Sequence, residues 1–255
     1  MDLLEHNRKA WNSEVTKGNR WTVPASAKEI AAARQGDVTI VLTPYKPVPA
    51  DWLGELAGAD VLCLASGGGQ QGPILAAAGA CVTVLDNSDE QLACDIRLSE
   101  EYDLGIRTVR GNMQDLSMLS DTSFDLIVHP VSNCFIDDIL PVWREAYRVL
   151  RPSGRLLSGF CNPLLYLLDW DQVDSGGDLV LRYAIPYSDL DVLSPEQLAQ
   201  RVQENQPLEF GHSLEDQIQG QIAAGFSIIG FYEDKGEPEL DALSSSFIAT
   251  CALKE

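Results

Sequence analysis

The residues whose types and spacing suit chemistry begin at Gly67. Gly67, Gly69 and Gly72 follow an apolar run, Val61 to Leu64, and Asp86 closes the next one, Cys81 to Leu85. Glycines placed like this let ligand atoms approach the backbone. The helix starting among them presents unpaired N–H groups to electron-rich atoms. The Asp86 carboxylate can accept bonds from two ribose hydroxyls. These parts make a nucleoside site. A tight turn without a ligand is the structural alternative, at an entropic cost that close packing seldom requires.

Further along, His129 and Asn133 follow the apolar run Phe124 to Val128. An imidazole there could serve as a base near pH 7, or simply bond to backbone. The amide could orient a substrate or close a turn. His212, near Glu215, is an alternative base. Three scattered histidines, and six cysteines without a C-x-x-C pair, predict no metal site. No glycine-rich loop ends in Gly-Lys-Ser/Thr, which excludes nucleoside triphosphate hydrolysis.

To hold these groups, the chain must alternate strands and helices from residue 60 onward. The helix after the glycines has Pro73 near its start and Gly79 past its end; the next is capped by Ser88 and Gln91 and stopped by Gly105. Ile106 to Val109, Phe124 to Val128 and Arg155 to Phe160 read as further strands, with a helix over about 138–150 before the last of them. Leu214 to Ala224 reads as a helix. Phe226 to Tyr232 and Phe247 to Leu253 are strands too close for a crossover helix, so they are antiparallel neighbours. Strands spaced by helices predict a parallel sheet wrapped on both faces.

Two stretches break that rhythm. Residues 1–55 read as an N-terminal cap or arm, with a short helix at Asn7 to Asn12, a Ser26/Glu29 capping box and a proline-rich connector, Thr43 to Pro49. Trp11 and Trp21 in this arm are either buried packing or walls of a substrate pocket. The main domain, 56–255, carries an inserted segment at 163–210. It contains an expected strand, Leu179 to Ile185, and a helix capped by Ser194. Such an insertion sits above the sheet's carboxyl edge, on the substrate side.

Composition narrows the partners. The 255 residues carry a net charge of −20 with 45% hydrophobic content, enough for a sizeable core. A chain this acidic repels a phosphate backbone, so no nucleic-acid partner is expected. Residues 1–50 hold seven Lys/Arg against five acids, leaving a mildly basic arm over an acidic body. No apolar stretch reaches membrane-spanning length, the N-terminus lacks a secretory pattern, and the cysteine usage is cytoplasmic.

Gly67-x-Gly69-x-x-Gly72 with Asp86 satisfies the dinucleotide fingerprint, which would suit a nicotinamide-dependent oxidoreductase. The same region also resembles the first two motifs of class I S-adenosylmethionine-dependent methyltransferases. Cys63 stands where that family often has a strand acid, and Ala65-Ser66 where Gly-Cys is usual. Gly111-Asn112-Met113-Gln114-Asp115-Leu116 resembles the third motif, with Asn112 in place of its acid. Phe124 to Val128, Arg148 to Leu157 and Ala224-Gly225-Phe226 are similar to the family's later pieces, in the same order. A dehydrogenase gives no reason for the closing hairpin.

The resemblance implies an α/β fold: a Rossmann-like, seven-stranded, mostly parallel sheet with helices on both faces and a C-terminal antiparallel hairpin. It implies S-adenosyl-L-methionine held by Ala65, Ser66, Gly67, Gly69, Asp86, Asn87, Asn112, Met113 and His129. His129 and Asn133 become the catalytic candidates, and Trp11 and Trp21 the substrate walls. The expected acceptor is a small molecule, since the Asn-Pro-Pro-aromatic motif of base or glutamine methylation is absent. No membrane insertion is expected, and the chain is read as a monomer or homodimer. A module that binds the cofactor without chemistry is the remaining alternative.

Overall fold

The computed structural model describes residues 1–255, Asp171 by its backbone alone. Five strands run parallel: β1 (Asp60–Leu64), β2 (Cys81–Asp86), β3 (Arg107–Arg110), β4 (Phe124–His129) and β5 (Leu150–Cys161). Among them β1, β2 and β4 are built from runs buried on both faces, as strands covered by helices on two sides must be; the edge strand β3 is not. A short antiparallel pair, β6 (Tyr187–Ser188) with β7 (Phe210–Gly211), stands apart from the main sheet. The antiparallel strands β8 (Phe226–Asp234) and β9 (Phe247–Lys254) complete it. The order β3-β2-β1-β4-β5-β9-β8 reverses direction between β1 and β4. Connections leave to opposite sides there, opening a crevice at the strands' carboxyl ends. Register keeps those ends level: Leu64 pairs with Leu85, and Cys63 with Val128.

Alternate residues of each strand feed two cores. Val61, Cys63, Val82, Val84 and Val128 pack on one face, against α2 (Ala27–Ala33), α3 (Ala50–Leu53) and α4 (Gln71–Ala77). Leu62, Leu64, Leu85 and Ile127 pack on the other, beneath Val142, Trp143, Ala146 and Val149 of α6 (Leu140–Val149). Between them in the chain, α5 (Asp89–Tyr102) covers β2 and β3. Its start is capped by the Ser88 hydroxyl on Gln91 N–H.

The N-terminal residues divide in packing. Ile40, Leu42, Val48, Trp52 and Leu53 belong to the first core, and Leu42 lies so close to β5 that a Cβ on Gly159 would meet its carbonyl oxygen at 2.3 Å. What lies over the crevice is α1 (Leu3–Lys17), much longer than the short helix expected at Asn7 to Asn12. Asp2 caps its start and Gly18 its end. Its buried residues are His6, Asn7 and Ala10, so no apolar stripe announced its length.

The insertion also departs from expectation. Leu179 to Ile185 is no strand; a single bridge, Leu168 to Leu181, is its only sheet contact among the described residues. Leu181 is 73% exposed, so the alternation there has nothing to bury against. The segment instead carries α7 (Trp170–Asp174), α8 (Asp189–Val192) and α9 (Pro195–Gln203) around the small β6–β7 pair. The helix expected over 214–224 begins as a π turn, Glu215–Gln219, and continues as α10 (Gly220–Ala224), with Gly225 left-handed at its end. A last short helix, α11 (Pro238–Asp241), fills the hairpin loop.

Candidate active site

β1 ends at Leu64 and the chain turns sharply. Ala65 takes φ +46°, a left-handed conformation uncommon outside glycine, and Gly68 and Gly69 follow at +96° and +71°. The Asp86 carboxylate ties this turn to α5: Oδ2 accepts from Gly67 N–H at 2.9 Å and Oδ1 from Ser88 N–H at 2.9 Å. Burial pushes the Asp86 carboxyl up, opposed by these backbone bonds. Both oxygens keep a lone pair for a ligand hydroxyl.

A cavity of about 720 Å³ opens beside the turn. Of the expected cofactor residues, Ala65, Ser66, Gly67, Asp86, Asn87, Asn112 and Met113 line it, as do Trp11 and Trp21. Gly69, His129, Asn133 and His212 do not. Gly69 faces α5 instead: a Cβ there would meet Leu98 at 2.9 Å and Pro24 at 3.2 Å, and its N–H goes to Asp95 Oδ2 at 3.0 Å. Its glycine is required by packing behind the turn rather than by a ligand in front.

His129 is fully buried. Nδ1 lies 2.8 Å from the Leu64 carbonyl and Nε2 2.8 Å from the Asn133 side chain, which continues to Gln217 at 3.0 Å. Burial pulls its pKa below the usual histidine value, favouring the neutral ring. Leu64 O can only accept, so in the neutral ring Nδ1 carries the proton. Nε2, which stands against Asn133 Oδ1, accepts once the Asn133 and Gln217 amides are turned over. The orientations of the two amides follow from that proton count. His212 Nε2 lies 3.0 Å from the carbonyls of Asn133 and Ile136. Both histidines therefore brace the segment after β4.

Two polar residues of the turn's underside are not among the expected site residues, Gln91 having been read only as part of a helix cap. Gln91 lines the cavity, with its side-chain oxygen unpartnered; Asp95 is fully buried, with Oδ1 unpartnered among the described residues. The signal was a helix whose buried face, Gln91, Leu92, Asp95 and Leu98, includes an acid. Burial pushes the Asp95 carboxyl up to about 8. Folding then binds a proton that the unfolded chain has released. Stability should thus fall as pH rises from about 4 to about 8, and be level above that. We expect Asp95→Asn to flatten this slope, so that its melting temperature relative to wild type rises between pH 5 and pH 9. Parallel curves for the two proteins would show that Asp95 does not titrate in this window.

The roof of the cavity is stitched from distant segments. Asn7 donates to Phe135 O at 2.8 Å and Leu208 O at 3.1 Å, and accepts from Leu208 N–H at 2.9 Å. His6 Nε2 reaches Gln206 O at 2.9 Å. On the other side, Asn87 donates to Leu4 O and Arg8 pairs with Asp89. Trp11 meets Phe135 edge-on at 4.9 Å, and the Arg20 guanidinium lies over Trp21. The far wall includes Tyr166, Trp170, Tyr183, Tyr187 and Glu209, with Cys134 and Cys161 also on it. No group of three or more potential metal ligands occurs among the described residues, nor any helix long and apolar enough to cross a membrane.

A glycine turn answered by an acid one strand over, beneath a sheet closed by an antiparallel hairpin, is the architecture of class I S-adenosylmethionine-dependent methyltransferases. Comparison agrees. Residues 62–158 match the family model described as a methyltransferase domain. The chain is 52% identical over 252 residues to a Bacillus subtilis (strain 168) protein named "Uncharacterized methyltransferase YbaJ", covering 99% of this chain and 98% of that one. It is 38% identical over 114 residues to the arsenite methyltransferase of Aquipseudomonas alcaligenes, 40% of this chain and 32% of that protein. The fold is shared with a solved methyltransferase structure from Listeria monocytogenes at TM-score 0.63 and 16% identity, covering 88% of this chain and 99% of that one. The chain belongs to the S-adenosylmethionine-dependent methyltransferases, and is an enzyme of that class. The nicotinamide reading of the glycine motif is thereby set aside.

The residues present fit the cofactor. Asp86 offers acceptors at the tip of β2, and Asn112 an amide in the loop after β3.

Proposed function

We propose that the chain methylates a small-molecule acceptor enclosed with the cofactor in this cavity. The observation behind the proposal is continuity: one space runs from Asp86 and Asn112 to Tyr187 and Glu209, beneath α1 and the insertion. Its volume is that of a small-ligand site, and its wall is roofed where a macromolecule would need an open groove. The net charge of −20 argues against a nucleic-acid substrate.

The bound cofactor supplies a methyl group on a sulfonium. The protein's share is alignment and exclusion of water. Asp86 holds the ribose side, Asn112 and Met113 flank the base, and Trp11 and Trp21 close the roof. His129 and Asn133 act here as positioning residues: with their polar atoms engaged and off the cavity wall, they fix the ends of β1 and β4. The test is release of S-adenosylhomocysteine when the protein receives S-adenosylmethionine and a metabolite extract freed of macromolecules. Turnover with the macromolecular fraction alone would refute a small acceptor.

One observation favours a second reading. Cys134 and Cys161 both line the wall, and two thiols that reach one arsenic condense with it in its trivalent state, releasing water. Arsenite, the substrate named for the partly matching relative, is therefore the second acceptor to assay.

A further inference from the structure

The end of the cavity away from Asp86 is walled by aromatic rings and carboxylates. Tyr166 and Tyr187 have ring centroids 5.3 Å apart, and Tyr183 meets Tyr187 edge-on at 5.3 Å. Two hydroxyls donate to acids: Tyr166 to Glu209 Oε2 at 2.9 Å, and Tyr187 to Asp189 Oδ1 at 2.8 Å. Bases do not match these acids. Arg201 is the one cationic side chain on the wall among the described residues, and it lies 3.6 Å from Asp189. Asp189 is further satisfied by Glu209 N–H at 2.9 Å.

Glu209 is left with a phenol. Its other oxygen, Oε1, takes no hydrogen bond from any described residue. Burial, and after it the Asp189 charge, pushes this carboxyl above the usual range, against the opposing effects of Tyr166 and Arg201. Arg201 acts on Glu209 only from its place beside Asp189, and no cation among the described residues forms an ion pair with Glu209.

We propose that this end of the cavity receives a cationic nitrogen compound, an amine held as its ammonium against the rings of Tyr166, Tyr183 and Tyr187, with Glu209 as counter-charge. Ring faces attract a desolvated cation, and the carboxylate adds to that attraction. An anionic acceptor meets Glu209 and Asp189 as repulsion, and a neutral one gains nothing from either. Before transfer the ammonium gives one proton to Glu209, which frees the nitrogen lone pair. The N–C bond then forms as the donor's C–S bond breaks, leaving a neutral thioether and a methylated ammonium. This inference rests on the acceptor occupying the cavity, and deepens that reading.

The full chain, saturated with S-adenosylhomocysteine, is titrated calorimetrically with choline and with its neutral isostere 3,3-dimethylbutanol. The cation should bind about tenfold tighter or more. Glu209→Gln should erase the preference while leaving S-adenosylhomocysteine affinity intact, which also reports that the variant is folded. Tyr187→Leu should reduce the preference independently. Equal binding of the two probes, or a preference surviving in Glu209→Gln, overturns the charge argument while leaving the acceptor's location standing. Binding of neither probe to a protein that binds S-adenosylhomocysteine overturns the location itself. Turnover on arsenite, with none on a panel of primary to tertiary amines, also defeats the proposal.

Discussion

Asp86→Ala should weaken S-adenosylhomocysteine binding by about 2–3 kcal/mol, the cost of losing charged hydrogen bonds in a buried site. Part of that loss is direct, through the ribose acceptors. Part is local, because the same carboxylate holds Gly67 N–H and Ser88 N–H and so fixes the turn against α5. Asp86→Asn separates the two: one amide oxygen can keep one backbone bond, so its loss should be smaller. The wild-type affinity should also depend on pH in a defined direction. Burial raises the Asp86 pKa, so acidification protonates it before an exposed aspartate, and affinity should fall as pH drops through that raised value. Calorimetry across pH on the three proteins measures all of this. Unchanged affinity in Asp86→Ala would place the cofactor elsewhere.

Gly69→Val should cost about 3 kcal/mol or more of folding stability, and binding with it. Two effects add. At φ +71° a β-branched residue is strained, and its Cβ would stand 2.9 Å from Leu98 and 3.2 Å from Pro24. Leu98 belongs to α5 and Pro24 to the strand-like link after α1, where Ala25 N–H bonds Gly69 O at 2.7 Å. The substitution therefore wedges apart the three segments that frame the turn. Denaturant unfolding of the variant should show a lower midpoint even without ligand. A variant of wild-type stability that merely fails to bind would return Gly69 to the ligand side of the turn.

Gly69 also shows what the sequence can and cannot disclose. Glycine spacing identified the turn and the strand pair, because a left-handed backbone and a close approach both demand glycine. It could not tell whether the approach came from a ligand or from a neighbouring helix. The parallel strands were legible for a similar reason: runs buried on both faces leave a continuous apolar signature, and Val61 to Leu64 or Phe124 to Val128 have no other use. α1 was legible only in part, since two of its three buried residues are polar, His6 and Asn7, and their partners Gln206, Leu208 and Phe135 lie far along the chain. His129 looked like a base by position after β4. Its buried, doubly engaged ring depends on the Leu64 carbonyl arriving from β1 to face Nδ1, which spacing alone does not reveal. In the insertion, Leu179 to Ile185 had a strand's composition without a sheet to join.

The Asn7 clasp has a consequence for the order in which the molecule assembles. Its partners stand 128 and 201 residues downstream, among the most distant contacts in the chain. A growing polypeptide emits α1 well before Phe135 and Leu208, which hold Asn7. Contacts of such separation are entropically slow to close, and domains tend to consolidate their local pieces beforehand. The parallel sheet can form while α1 still waits without its far partners. α1 can thus meet Asn87 and Asp89 early, but a nascent chain completes this roof only once residue 208 has been released.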